Sequence, residues 1–161
     1  MKAVCIGGGP GGLYFGLCMK LRNPDHEILV LEGNKADDTF GWGVVFSDQT
    51  MERLQANDTR SADWILDQFA HWDDIEVHYR NHVIRSGGHG FSGLGRQRLL
   101  HLLQKRALEM GVKLHFEHEI HNLDQFKDAD LIVACDGINS WIRDEHADHF
   151  QPDIDVRSNR F

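Results

Sequence analysis

The sequence predicts an α/β fold built on a parallel sheet, and three observations carry that prediction. Ala3-Val4-Cys5-Ile6, Ile28-Leu29-Val30-Leu31 and Leu131-Ile132-Val133-Ala134-Cys135 are short, continuous apolar runs, the pattern of strands covered on both faces. Stripes at helical spacing stand between them: Leu13, Leu17 and Leu21, then Leu99, Leu100, Leu103 and Ala107. Gly7-Gly8-Gly9-Pro10-Gly11-Gly12 joins the first run to the first stripe and satisfies GxGxxG at Gly7, Gly9 and Gly12.

Taken in order, residues 2 to 6 read as a strand, followed by a tight turn and a helix that stops at Asn23-Pro24. Residues 27 to 32 complete a βαβ unit. From Gly33 to Gly43 the chain turns polar and glycine-punctuated, then Val44-Val45-Phe46 offers a brief strand. Ser47 or Asp48 caps a helix carrying Met51 and Leu54. Ile65, Phe69 and Trp72 fall on one face of a helix expected between Ala62 and Trp72. Ile75 to Tyr79 alternates and pairs with His82 to Arg85 through Arg80-Asn81. Ser86 to Gly95, with Gly87, Gly88, Gly90, Gly93 and Gly95, reads as an irregular loop. A helix through Leu99 and Ala107 ends at Gly111, and Val112 to Phe116 follows as a strand. After the run 131–135, Asp136-Gly137 forms a turn and Ser140 to Arg143 begin a helical turn.

The glycine motif is a dinucleotide fingerprint in its expected context. Its first glycine permits the turn, its second lets a pyrophosphate approach the backbone, and its third lets helix and strand pack closely. Phosphate charge then meets the positive end of a helix. Glu32 ends the second strand about twenty residues beyond Gly12, where a carboxylate accepts hydrogen bonds from a ribose diol and disfavours a phosphorylated one.

Composition excludes several classes. Seventeen basic against 25 acidic side chains give a formal charge of -8, which repels nucleic acid. The apolar runs are far shorter than a membrane span, and the chain enters structure directly after Met1-Lys2, so a cytoplasmic location is expected. Cys5, Cys18 and Cys135 lie in apolar surroundings without metal-ligand spacing and read as small core residues. No metal site is expected: His115, His118 and His121 are spaced by three, which alternates faces where His115 lies in a strand, and His146 and His149 could share a helical face but show no third ligand. Ser47, Ser92 and Ser140 have no nucleophile-elbow context.

A narrower resemblance rests on three segments. Asp136-Gly137-Ile138-Asn139-Ser140-Trp141-Ile142-Arg143, behind the run 131–135, resembles the Asp-Gly motif of class A flavoprotein aromatic hydroxylases, the group that includes para-hydroxybenzoate hydroxylase. Arg96-Gln97-Arg98-Leu99 resembles their R-x-x-L segment. Gly41-Trp42-Gly43-Val44-Val45-Phe46-Ser47-Asp48, with Pro10 to Phe15, is similar to the hydroxylases of aromatic acyl-CoA thioesters. Tryptophan hydroxylases of violacein biosynthesis share a Gly-Trp-Gly-Val-Val segment, so the substrate stays open.

The resemblance implies a Rossmann-like FAD-binding domain of glutathione-reductase type over residues 1–161, incomplete at its C-terminus and cut before the substrate domain is complete. It implies a monooxygenase that uses FAD, NADH or NADPH, and dioxygen to hydroxylate an aromatic substrate, with an acyl-CoA thioester favoured. The implied cofactor contacts are Gly7, Gly9, Pro10, Gly11 and Gly12 at the pyrophosphate, with Glu32 and Gly33 at the ribose. Arg96 is implied beside ribose and phosphate, Asp136 and Gly137 near the pyrophosphate, and Trp42, Gly43 and Val44 near the isoalloxazine. Relatives often carry a basic residue after the ribose-binding acid, whereas this chain has Gly33, with Lys35 two positions on. Since the cofactor carries such chemistry, no catalytic residue is assigned. A second Gly-Asp flavin motif is absent from these residues, so weak FAD retention is expected of this chain alone. A non-catalytic dinucleotide-binding module, and a flavin reductase or halogenase on the same FAD domain, remain as alternatives.

Overall fold

The computed structural model describes residues 1–158; of the chain end read as a cut through a continuing domain, Asn159 to Phe161 lie outside them. Strands β1 (Lys2–Ile6), β2 (Glu27–Leu31), β8 (Lys113–His115) and β9 (Leu131–Ala134) form a parallel sheet in the order β8-β2-β1-β9. In register, Val4 lies between Leu29 of β2 and Ile132 of β9. Helix α1 (Pro10–Arg22) connects β1 to β2, and α4 (Arg96–Glu109) precedes β8.

The continuous apolar runs are explained by two cores. Successive side chains of a strand alternate faces. Ala3 and Cys5 pack with Leu13 of α1 and with Leu99, Leu103 and Ala107 of α4. Val4 and Ile6 pack on the other face with Leu31, Ile120, Phe126 and Ile142. From Ala3 to Ile6 neither face of β1 meets water, which is why this part of the strand carries no polar residue.

An antiparallel sheet, β3-β7-β4, joins β3 (Gly43–Ser47), β7 (Phe91–Gly95) and β4 (Ala70–Trp72). Helices α2 (Asp48–Asn57) and α3 (Thr59–Leu66) follow β3, and the hairpin β5 (Ile75–Tyr79) and β6 (His82–Ser86) forms a separate two-stranded sheet. Two short helices, α5 (Trp141–Glu145) and α6 (Ala147–Phe150), follow β9. Ser47 is the cap of α2, accepting from the Thr50 N–H, and Ser140 caps α5 through the Arg143 N–H. Among the described residues no helix is long and apolar enough to cross a membrane.

Three expectations are corrected. The glycine-rich stretch is not wholly irregular, since Phe91–Gly95 is the central strand of the antiparallel sheet. Glycine serves there for close approach: a Cβ on Gly93 would lie 2.9 Å from the Trp72 ring, which covers that position. The helix expected over 62–72 begins at Thr59, where the Asp58 carboxylate accepts from the Ser61 N–H, and ends at Leu66. Trp72 belongs instead to β4, its ring 6.0 Å from that of Phe91. Cys5 is buried, but Cys18 and Cys135 are only half-buried.

Candidate functional site

The C-terminal ends of β1, β2 and β9 open into one cleft of about 980 Å³. Strand β1 sits where the chain turns to opposite sides of the parallel sheet, to β2 first and to β9 last, and ligands of open α/β sheets bind at such a switch point. Gly7 follows β1, Glu32 and Gly33 follow β2, and Asp136 and Gly137 follow β9. All five line the cleft, together with Gly9, Pro10, Gly11 and Arg96.

Each motif glycine has its own steric reason. Gly7 takes φ +111, and a Cβ there would stand 2.1 Å from the Cys135 carbonyl oxygen. A Cβ on Gly12 would stand 2.1 Å from the Gly7 carbonyl oxygen, so Gly12 shapes the turn from behind and does not itself line the cleft. At Gly9 and Gly11 a Cβ would meet nothing within 4 Å, and the backbone there faces open space. Helix α1 starts at that point with Pro10 in its first turn, no side-chain cap and no acidic residue in the first turn. Its free N–H groups and dipole make an anion site.

Glu32 is held rather than free. Gly8 N–H donates to Oε2 at 2.7 Å, and Asn34 donates to Oε1 from its backbone at 2.9 Å and its amide at 2.7 Å. A carboxylate offers about four lone-pair sites, so acceptor capacity remains on Oε2 for a hydroxyl. Gly8 and Asn34 carry this role without a sequence motif of their own. Their signal is proximity: two donors that the fold brings to one acid.

Arg96 opens α4 under an uncapped Gly95, where a cation stands against the helix dipole. Its N–H donates to the Trp42 carbonyl oxygen at 3.1 Å, while its Nε is buried without a hydrogen-bond partner. Asp136 Oδ2 and Thr39 Oγ1 are likewise buried and unpaired, and both residues line the cleft. Buried polar atoms are costly to leave unsatisfied, so three of them on residues around one cleft mark where a polar ligand would complete the structure. Thr39 had no signal in the sequence. Cys135 also lines the cleft, and burial, with the Asp136 carboxylate nearby, pushes its thiol above the ordinary cysteine value.

Trp42, Gly43 and Val44 stand apart from the cleft lining. Trp42 is 97% exposed, Gly43 pairs with Gly95, and Val44 pairs with Leu94 and packs on the core. Among the described residues no group of three or more His, Cys, Asp or Glu is placed to hold a metal ion.

No protein-family model matches the chain. It is 45% identical over its whole length to salicyloyl-CoA 5-hydroxylase of a Streptomyces species, covering 31% of that protein. It is 29% identical over 93% of its length to 3-hydroxy-4-methyl-anthranilyl-(aryl-carrier protein) 5-monooxygenase of Streptosporangium sibiricum, covering 42% of that one. The chain thus spans less than half the length of these relatives. Among solved structures, the tetrameric form of 2-methyl-3-hydroxypyridine-5-carboxylic acid oxygenase matches 73% of the chain with 32% of its own. The TM-score is 0.64 at 21% identity, a likeness of fold. The chain is accordingly similar along all of its length to part of a protein named as a hydroxylase, and over 93% of it to part of one named as a monooxygenase.

Proposed function

We propose that the chain forms the FAD-binding part of a monooxygenase that uses NADH or NADPH and dioxygen to hydroxylate an aromatic ring carried as an acyl-CoA thioester. One observation carries the reading. At the switch point of the sheet, the uncapped start of α1, the Glu32 carboxylate and the buried, unpaired Arg96 Nε and Asp136 Oδ2 converge on a single cleft. The names of the two relatives support an aryl group linked to a carrier.

The residues present fit a dinucleotide. Gly9 and Gly11 would bring bare backbone to its pyrophosphate, with Pro10 between them at the start of α1. Glu32 would accept from a ribose hydroxyl while Gly8 and Asn34 keep its carboxylate oriented. Arg96 would place a guanidinium against the phosphates, which also relieves its position at a helix start. Asp136 and Gly137 would close the opposite side. When bound, FAD supplies the electron-transfer and oxygen chemistry. The chain's own work is to bind the cofactor, orient it and exclude water.

The test is made on the full-length gene product, reconstituted with FAD, by its visible flavin absorbance and by NADH and NADPH oxidation with salicyloyl-CoA, benzoyl-CoA and the free acids. Bound flavin and oxidation accelerated by a thioester are expected. A protein that stays colourless removes the cofactor reading; a yellow one indifferent to every aromatic compound removes the hydroxylase reading alone.

A further inference from the structure

The loop between β2 and β3 forms one wall of the cleft, contributing Lys35, Ala36, Asp38, Thr39 and Phe40. None of residues 33–42 is buried, so no apolar side chain anchors it. Its own turn contributes two hydrogen bonds, from Asp38 N–H to the Lys35 carbonyl oxygen and from Lys35 N–H to Asp38 Oδ2. Its ends are held by the Glu117 N–H on the Asn34 carbonyl oxygen and the Arg96 N–H on the Trp42 carbonyl oxygen, and between them the hydrogen bonds to the rest of the molecule come from one face of α4. Gln97, His101 and Gln104 follow each other at four and three residues, the spacing of a single helical face. Gln97 Nε2 donates to the Asp37 carbonyl oxygen at 3.0 Å and Gln104 Nε2 to the Ala36 carbonyl oxygen at 2.9 Å. His101 Nε2 stands 2.8 Å from Asp37 Oδ1. Asp37 does not line the cleft, although its neighbours on both sides do, so Gln97 and His101 pin the wall from outside the cleft, whereas Gln104 and Ala36 both line it.

We propose that Gln97, His101 and Gln104 are positioning residues that hold the 35–40 wall in register for the adenosine end of a bound dinucleotide. The proposal rests on the FAD reading above. That wall continues directly from Glu32 and Asn34, the groups placed at the ribose, so its displacement acts on cofactor affinity. Because no residue of the loop is fully buried, the clamp contributes little to global stability. Loss of the fold and loss of the clamp are therefore separable.

The experiment measures FAD affinity by fluorescence quenching, and amide hydrogen exchange of the apoprotein, in the full-length protein and in H101A, H101Q, Q104A, D37A and the H101A/D37A double variant. Each alanine variant is expected to raise the FAD dissociation constant about three- to tenfold, the range of one hydrogen bond, and to speed exchange at residues 35–40 with the thermal midpoint unchanged. H101Q retains a side-chain N–H donor and is expected to bind near the unmutated level. H101A/D37A should bind no more weakly than either single variant, because both remove one contact. Unchanged FAD affinity in H101A and Q104A overturns the proposal, as do fully additive effects of H101A and D37A or an H101Q as weak as H101A. If the unmutated protein binds no FAD, the cofactor reading itself fails and the positioning role falls with it. Exchange at residues 35–40 still reports in that case whether the clamp exists.

Discussion

Gly7, Gly9 and Gly12 share a motif but not a reason. A side chain at Gly12 would collide with the Gly7 carbonyl oxygen, whereas one at Gly9 would enter open space. Gly12→Ala is therefore expected to destabilise the protein by about 1–3 kcal/mol, the cost of overpacking, seen as a lower urea midpoint. Gly9→Ala is expected to change apoprotein stability by less than about 1 kcal/mol while weakening FAD binding at least tenfold. Equal stability losses in the two would mean that the open backbone at Gly9 is not a ligand surface. The thiols give a second test at this scale. Burial, with Cys135 nearby, pushes Cys5 up to about 12, and burial raises Cys18 and Cys135 as well. Thiolate is the reactive form, so iodoacetamide at pH 8 is expected to label the folded protein far more slowly than the urea-unfolded one. Comparable rates would remove the burial argument. The glycine spacing and Glu32 were legible in the sequence because a turn and the strand after it are local. The hold of Gly8 on Glu32 was not, since it depends on two strand ends lying side by side.

Elements were legible where one periodicity ruled and misread where two competed. Ile65, Phe69 and Trp72 fit a helical face, yet the Asp58 cap starts α3 earlier, and Trp72 gains more by covering Gly93 in the sheet. Nor did any pattern announce that Arg106, on the buried side of α4, would meet Asp58 across 48 residues. Its Nε and Nη2 donate to the Asp58 carboxylate at 2.8 and 2.9 Å, and both side chains are buried. The Arg106 hydrogen bonds hold Asp58 below the ordinary carboxylate range, against burial, which pushes the other way; Ser61 helps them. Asp58→Ala strands a buried cation and removes the α3 cap, so a loss of about 3–5 kcal/mol is expected by urea unfolding at pH 7. The folded-state pKa is lower than the unfolded value of about 3.9. The contribution is therefore present above about pH 4 and disappears as pH falls through the folded value. Asp58→Asn should flatten the acid limb of the stability profile below about pH 4. A variant as acid-sensitive as the unmutated protein would show that Asp58 is not the group responsible.

At the scale of the whole molecule, the parallel sheet and the β5–β6 hairpin stand at opposite ends of a range of local stability. Strand β1 is buried on both faces and paired on both edges, whereas every residue of β5 and β6 is exposed and the two strands pair only with each other. An isolated two-stranded hairpin is marginal in water. Its Val77, Tyr79, Val83 and Ile84 present apolar surface that nothing in the described residues covers. Hydrogen exchange of this 161-residue chain should accordingly separate into two tiers. Hairpin amides are expected to exchange through local opening, while those of β1 and its partners in β2 and β9 persist toward global unfolding. The hairpin's existence was legible from its alternation, but not its isolation, because alternation promises one buried face and the described residues supply no surface to bury it. The exchange measurement therefore reads out a missing contact. If β5 and β6 prove as protected as β1, the hairpin has found a packing partner, another copy of the chain being the first to test by sedimentation. If protection rises only in the full-length protein, the covering surface lies in sequence beyond these residues.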